Sequence, residues 1–481
     1  MSMTRFVPLR RDFIVQTLIP RTLFGLAFIF AVQPLPLAAQ TLNSCVAIDT
    51  IIDSDLSMPT GMAFLGEGDF FVIEKVTGQV KRVTNGAVVA TVLDLPVNGG
   101  SERGLLGITL HPNFANNNFV YLYYSRAEAD NGAWLDNRVS RFTWNGTNLI
   151  DETLIVSFPM DPNQNNGSNH DGGIILFGPD GKLYGITGDL NRSRLEQNVT
   201  STAVAGVGGV FRLNDDGTIP ADNPFIDHAE PVIKHLYAYG VRNSFGMTFD
   251  PVTDNLWDTE NGPNFYDEVN LVPEGFNSGW SKIMGPDARD SQDVDDLIHL
   301  TNSVYSDPKL SFLAPVAVTA ILFIEDSLMP ASWQGTLVLG DANNGNFYRF
   351  NLNEDRDALI LPPGVSEDLV ADTTTERNSL RLGNGFGPTT DLKIGPDGYL
   401  YQLSLGGDVR RIRPVDTTLG DMNCDTVINL SDVDPFVLAL TNSTAYLSAF
   451  PGCLICNANF NDNDGPDGGD IAGFVALLLG P

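Results

Sequence analysis

Residues 174–189 read IILFGPDGKLYGITGD. An apolar run, a Pro-Asp-Gly turn and a second apolar run spell two strands joined by a tight connection. The phrase recurs as GMAFLGEGDFFVIEK (61–75), GITLHPNFANNNFVYLYYS (107–125), MTFDPVTDNLWDTENG (247–262) and LKIGPDGYLYQLSLGGDVRRI (392–412), with a weaker copy in ILFIEDSLMPASWQGTLVLGD (321–341). Several copies run on to a third strand carrying basic residues: VKRV, GGVFRLN, FYRFNLN and VRRIRP. Repetition at long period means an array of like units, and strand–turn–strand–strand units are the blades of a propeller. The six copies between residues 45 and 415 predict an all-β, six-bladed β-propeller. At roughly 60 residues a blade is longer than the common propeller repeats, and long loops fill the difference. A large sandwich or a pair of barrels is the alternative.

Composition agrees with a large globular chain. It has 481 residues, 43% hydrophobic, with 47 Gly and 29 Pro. Its 59 acids against 28 bases give a net charge of −31, which repels nucleic acid and anionic membranes and suits divalent cations. Arg5, Arg10 and Arg11 precede LFGLAFIFAV (23–32) and then PLPLAAQ, the layout of a secretory signal. The reading is a signal peptide over 1–39, cut after Ala39 or Gln40, with no membrane span afterwards and a secreted, periplasmic or cell-surface location. An uncleaved anchor is the alternative, but the run is short for a span and Pro34 and Pro36 interrupt it. Cys45, Cys424, Cys453 and Cys456 are the cysteines. Export permits disulfides, spacing does not give their pairing, and free thiols stay open.

The composition changes after RIRPVDTT (411–418), so the propeller is placed at 45–415 and a second, small domain at 419–481. GDMNCDTVINLSD (420–432) sets side-chain oxygens at Asp421, Asn423, Asp425, Asn429 and Asp432, with Val427 to supply a main-chain carbonyl. That is the spacing of an EF-hand calcium loop, with Thr426 where glycine is usual. Asn459, Asn461, Asn463, Asp467 and Asp470 repeat the pattern, with Pro466 inside the loop. An apolar helical stretch follows each loop, VDPFVLAL and IAGFVALLLG.

The ordered set ERGLLGITLHPNF (102–114), NHDGGIILFGPDGKLYGITGD (169–189), GGVFRLNDDGTIPADNPF (208–225), YGVRNSFGMTFDP (239–251), ENGPNFYDEVNLVPEGFNSGW (260–280) and GPDGYLY (395–401) resembles the glucose/sorbosone dehydrogenase family. The resemblance implies a secreted six-bladed propeller that oxidises sugars with pyrroloquinoline quinone (PQQ) and Ca2+. It implies His170 as general base, which imidazole suits near neutral pH, and Asp189 as its acidic partner. It implies Arg242 and Asn243 as cofactor contacts, with Glu102 where the family has a cofactor-binding glutamine. It implies the carbonyls of Gly262 and Pro263 as calcium ligands, with Asp267 and Glu268 in support. The tail resembles a dockerin, which implies a cohesin-like partner; a calcium-stabilised cap with no partner is the alternative.

The chain departs from the family where further cations hold the cofactor. Asn343 or Asn344 stands in place of a lysine, and Pro388 and Thr390 in place of two arginines. Arg192, Arg194, Arg381 and Lys393 are the cations left to substitute. Three lost charged hydrogen bonds, each worth about 1.5–3 kcal/mol, keep a second class of function open. That class is a non-catalytic propeller binding carbohydrate or protein, as in the hedgehog-interacting protein branch.

Overall fold

The computed structural model describes residues 41–42, 45–160, 169–192, 198–199, 206–463 and 465–480. The signal segment 1–39 and Arg194 lie outside the described residues. The described strands form an all-β propeller with a few small helices at the C-terminal end.

The described strands sort into six separate sheets. The strands Pro59–Gly66, Leu105–Leu110, Ile175–Phe177, Gly246–Phe249, Val318–Ile324 and Thr389–Ile394 each begin a sheet, and each touches the next. Thr389–Ile394 returns to Pro59–Gly66, so these first strands close a ring. Every junction between neighbouring sheets has its own apolar cluster. A strand such as Leu183–Thr187 is buried at all five positions because sheets cover both of its faces. The final sheet mixes both ends of the propeller. Val46–Ile52 pairs antiparallel with Val409–Pro414, with Ile48 opposite Ile412.

The basic residues of the third strands lock the turns. Arg212 lies opposite Tyr184 and donates to Asp180 of the Pro-Asp-Gly turn, from Nη2 at 2.8 Å, and the Tyr184 hydroxyl donates to the same carboxylate. The copy at 396–401 repeats this. Arg411 lies opposite Tyr401, and both donate to Asp397. In each turn the glycine, Gly181 or Gly398, has φ above +70°, a conformation open to glycine without strain.

The tail has three short helices, Val433–Thr441, Ser443–Ala449 and Ile471–Leu479, around a separate cluster with Met422, Tyr446 and Ala458. Phe436 and Phe474 stack at its centre, ring centroids 3.9 Å apart. All four cysteines are paired. Cys424–Cys453 lies within the tail, and Cys45–Cys456 ties the tail to the residue before the closing strand. The Ala331 amide of the propeller also donates to Asp462 at 2.7 Å. The tail therefore has its own core, and it is fastened to the ring within one compact unit.

Candidate active site

The loop before Ile175–Phe177 places His170 at φ +64°, an uncommon value for a side chain with a Cβ. Two other segments hold it there. The His170 amide donates to Glu102 Oε2 at 2.6 Å, its carbonyl accepts from the Leu190 amide at 3.3 Å, and its ring Nδ1 lies 2.6 Å from Asp189 Oδ1. Gly188 lets these strands meet: a Cβ there would sit 2.2 Å from the His170 carbonyl oxygen and 2.8 Å from that of Arg242.

Asp189 is 4% exposed and fully engaged. Its Oδ2 accepts from Trp280 Nε1 at 2.9 Å, its Oδ1 also accepts from the Asn191 amide, and its own amide donates to the Arg242 carbonyl. A carboxylate opposite Nδ1 favours the tautomer with its proton there, so Nε2 on the other edge of the ring can accept one.

Arg242 and Asn243 join the same group. The Arg242 guanidinium lies over the Trp280 ring at 5.4 Å, and its Nη1 donates to the Asn261 carbonyl at 2.7 Å. Burial pushes its pKa down, against the pull of Asp189, Glu260 and Glu102. Asn243 Nδ2 donates to Glu102 Oε2 at 3.1 Å. Glu102 therefore bridges the His170 backbone and the Asn243 side chain with one oxygen. Two buried polar atoms in this group have no partner among the described residues, Arg242 Nε and Asn243 Oδ1.

Gly262 and Pro263 follow Asn261, whose carbonyl accepts from Arg242. Asp267, expected in support of the calcium segment, is buried and takes three backbone amides. Its Oδ1 accepts from the Gly262 amide and its Oδ2 from the Val316 and Ala317 amides, so it buttresses the loop through the backbone. Behind it lie carboxyls that sequence reasoning did not assign to a site, Asp258 and Glu260, beside Glu268. Glu260 and Glu268 face each other across paired strands. Burial pushes Asp258 up to about 7 and Glu268 up to about 8. Burial also raises Glu260 well above the usual carboxylate range, with the Glu268 and Asp258 charges adding to it. The signal was there: acids at alternate positions, 258 and 260, inside an apolar strand.

A cavity of about 260 Å³ opens where the first strands begin, lined by Thr60, Glu102, Leu106, Phe245, Thr319 and Thr390 among others. Lys75, also on its wall, was missed in the sequence. Pro388 and Thr390, the positions where two arginines were expected, line it. Arg192, Arg381 and Lys393 do not; Lys393 is 3.3 Å from Asp391. A larger surface groove, lined by Thr50, Phe70, Asn85, Tyr401 and Arg411, includes none of the expected site residues.

The profile of the glucose/sorbosone dehydrogenase family matches residues 56–412. The chain belongs to that family. A glucose/sorbosone dehydrogenase relative, the aldose sugar dehydrogenase YliI of Escherichia coli, is 26% identical over 379 residues, 76% of this chain and 92% of its own. Quinoprotein glucose dehydrogenase B of Acinetobacter calcoaceticus is 31% identical over 260 residues, 49% of this chain and 52% of its own. The solved soluble aldose sugar dehydrogenase of E. coli, in its apo-form, superposes with a TM-score of 0.59 at 25% identity, over 77% of this chain and all of the other. The glucose/sorbosone dehydrogenase family is one of sugar oxidoreductases, so this chain is of enzyme stock. Its tail lies beyond the match.

In the tail the two loops fold alike. Asp432 Oδ1 accepts from the Met422 and Asn423 amides and its Oδ2 from that of Asn429. Asp470 does the same with Phe460, Asn461 and Asp467. Asn423 and Asn461 each accept from the amide two residues on, as do Asp425 and Asn463. The Val427 carbonyl accepts from Asn429 Nδ2. Thr426 sits at φ +69°, the strain expected of a residue in the glycine position. Asp421 Oδ1 and Asn459 Oδ1, at matching places in the two loops, are buried with no partner among the described residues. Among the described residues no three His, Cys, Asp or Glu side chains converge as a ready metal cluster. No described helix is long and apolar enough to cross a membrane.

Proposed function

We propose that this protein oxidises the hydroxyl of an aldose or related sugar with PQQ and calcium, in a propeller whose six sheets are its six blades. The observation that carries the reading is the His170–Asp189 pair at 2.6 Å, set in one hydrogen-bonded group with Arg242, Asn243 and Glu102. The Arg242 guanidinium fits a quinone bearing carboxylates. Arg242 Nε is a buried donor with no partner among the described residues, and such a donor is costly unless a ligand meets it. Arg242 and Asn243 would hold the cofactor, and the Gly262 and Pro263 carbonyls would face calcium. When bound, PQQ supplies the two-electron acceptor.

The chain's own residues do the rest. His170 Nε2 takes the proton of the sugar hydroxyl. Asp189 keeps the proton on Nδ1 and stabilises the imidazolium that forms. Trp280 and the Asn191 amide hold Asp189 in turn, so the base keeps one orientation. Glu102 fixes the backbone that carries the base.

For the tail, we infer a dockerin-like module whose two loops bind calcium and whose exposed helical residues, among them Val437, Ile471 and Val475, meet a cohesin-like partner. Two disulfides support export to an oxidising compartment.

The test is reconstitution of the full chain with PQQ and calcium, followed by dye reduction over a panel of aldoses. Turnover of at least one aldose is expected. Failure of the purified protein to bind PQQ at micromolar cofactor sinks the dehydrogenase reading and leaves the binding-propeller alternative.

A further inference from the structure

The cavity poses a charge problem. The positions where the family resemblance implies cations hold Asn343 or Asn344, Pro388 and Thr390, and two of these line the cavity without any charge. Among the described residues on its wall there is one acid, Glu102, and one base, Lys75.

Lys75 is placed in an unusual way for a lysine. It is 8% exposed, and its Nζ donates to the carbonyls of Gly99 at 3.2 Å and Ser101 at 2.7 Å. That uses two of the three donors of an ammonium group. No carboxylate among the described residues lies within ion-pair distance; Glu102 and Asp171 act on it only at longer range. Burial accordingly lowers its pKa, with the nearby Arg103 charge adding to the effect. Lysine is almost never buried unless paired, and a buried charge held only by neutral carbonyls is expensive.

The backbone places this cation close to one of the uncharged positions. The Lys75 amide donates to the Met58 carbonyl, and Thr390 Oγ1 donates to the carbonyl of the next residue, Pro59, at 3.0 Å. Lys75 and Thr390 thus flank the same two residues from neighbouring sheets. A positive charge absent from the last sheet is present one sheet further round the ring, on the wall of the same cavity.

We infer that Lys75 is the carboxylate anchor of this cavity, taking the place of the cations missing at positions 388 and 390. This rests on the cofactor reading above. The arrangement spares the ammonium an unpaired burial when the ligand is bound, and it offsets Glu102, which otherwise faces an anionic ligand.

The experiment is equilibrium titration of the full-length protein, with calcium in excess, by quenching of tryptophan fluorescence. The ligands are PQQ and its trimethyl ester, which keeps the quinone and loses the carboxylate charges. Wild type is expected to prefer PQQ. Lys75→Gln is expected to bind PQQ about 10- to 100-fold more weakly, the worth of one charged hydrogen bond, with the ester affected much less. Lys75→Arg is expected to restore most of the preference. Far-UV circular dichroism checks folding, and Lys75→Met, which keeps the buried stem, replaces the glutamine variant if that does not fold. An equal loss for both ligands would show a structural role only and overturn the assignment, as would unchanged PQQ binding. If wild type binds neither compound, the cofactor reading fails first and the anchor falls with it.

Discussion

The ring and the tail both present loops rich in Asn, Asp and Gly, and they hold those loops in opposite ways. In the ring, the His170 loop is fixed by residues far away in the chain. Glu102 lies 68 residues from His170 and 141 from Asn243, and Trp280 lies 91 from Asp189. In the tail, the Asp421–Asp432 loop is tied within itself. Asp432 accepts from amides 10, 9 and 3 residues back. A ring loop has its shape because six sheets bring distant segments together. A tail loop takes much of its geometry from its own side chains. The ring's apolar clusters lie between sheets and do not include the tail. The tail's single cluster is small, and two disulfides staple it. Small cores commonly need such help from cross-links or metal.

The contrast can be broken most sharply at the base. His170→Ala is expected to lower the rate of sugar oxidation by about two to four powers of ten, with PQQ affinity changed much less, because the base acts on the substrate. Steady-state dye reduction and cofactor titration together measure this. A loss of affinity equal to the loss of rate would mean that the loop, not the base, had been damaged.

Next comes the metal. Chelation of the full-length protein is expected to strip amide-exchange protection from residues of the tail while leaving the buried strands of the ring protected. On the calcium reading of the loops, the metal would supply folding energy that the small core of the tail lacks. Asp421→Ala combined with Asp425→Ala should reproduce the pattern without chelator. Equal protection in both conditions would remove the calcium reading of the loops.

The smallest effect is a slope with pH in the ring. Burial pushes Asp258 up to about 7, above the range of a carboxyl in the unfolded chain. Between the two values the folded state holds a proton that the unfolded state has released. Its contribution is therefore present at low pH and is lost as pH rises through about 7. The melting temperature of the ring in chelator should fall by several degrees from pH 5 to pH 8 and fall less in Asp258→Asn. An identical slope in the variant would show that Asp258 does not titrate in this range.

Much of this was legible from local pattern. The Pro-Asp-Gly hairpins announced the repeat because a turn and its flanking strands are set by neighbouring residues. Asp425 and Asn429 announced a loop for the same reason. The family resemblance implied the pairing of His170 with Asp189, and the structure sets their side chains 2.6 Å apart. Lys75 could not be found this way. It stands in VIEK, a phrase that reads as an ordinary strand end, and its burial depends on Gly99 and Ser101 of the loop that leads to the next sheet. Asp267 was legible as an acid beside the expected calcium segment, but not as a residue whose Oδ2 is taken by amides 49 and 50 positions later.

By itself, then, the sequence determined the repeating strand unit, the order of the hairpins, the loop geometry of the tail and the family resemblance. All of these rest on spacings of a few residues. The tertiary structure alone decided that Glu102 would join His170 to Asn243, that Cys45 would pair with Cys456 across 411 residues, and that a lysine would stand buried in the cavity. The physical reason is ring closure. Residues remote in the chain become neighbours only when the last sheet takes Val46–Ile52 as its outer strand, and no local pattern encodes which of them will meet.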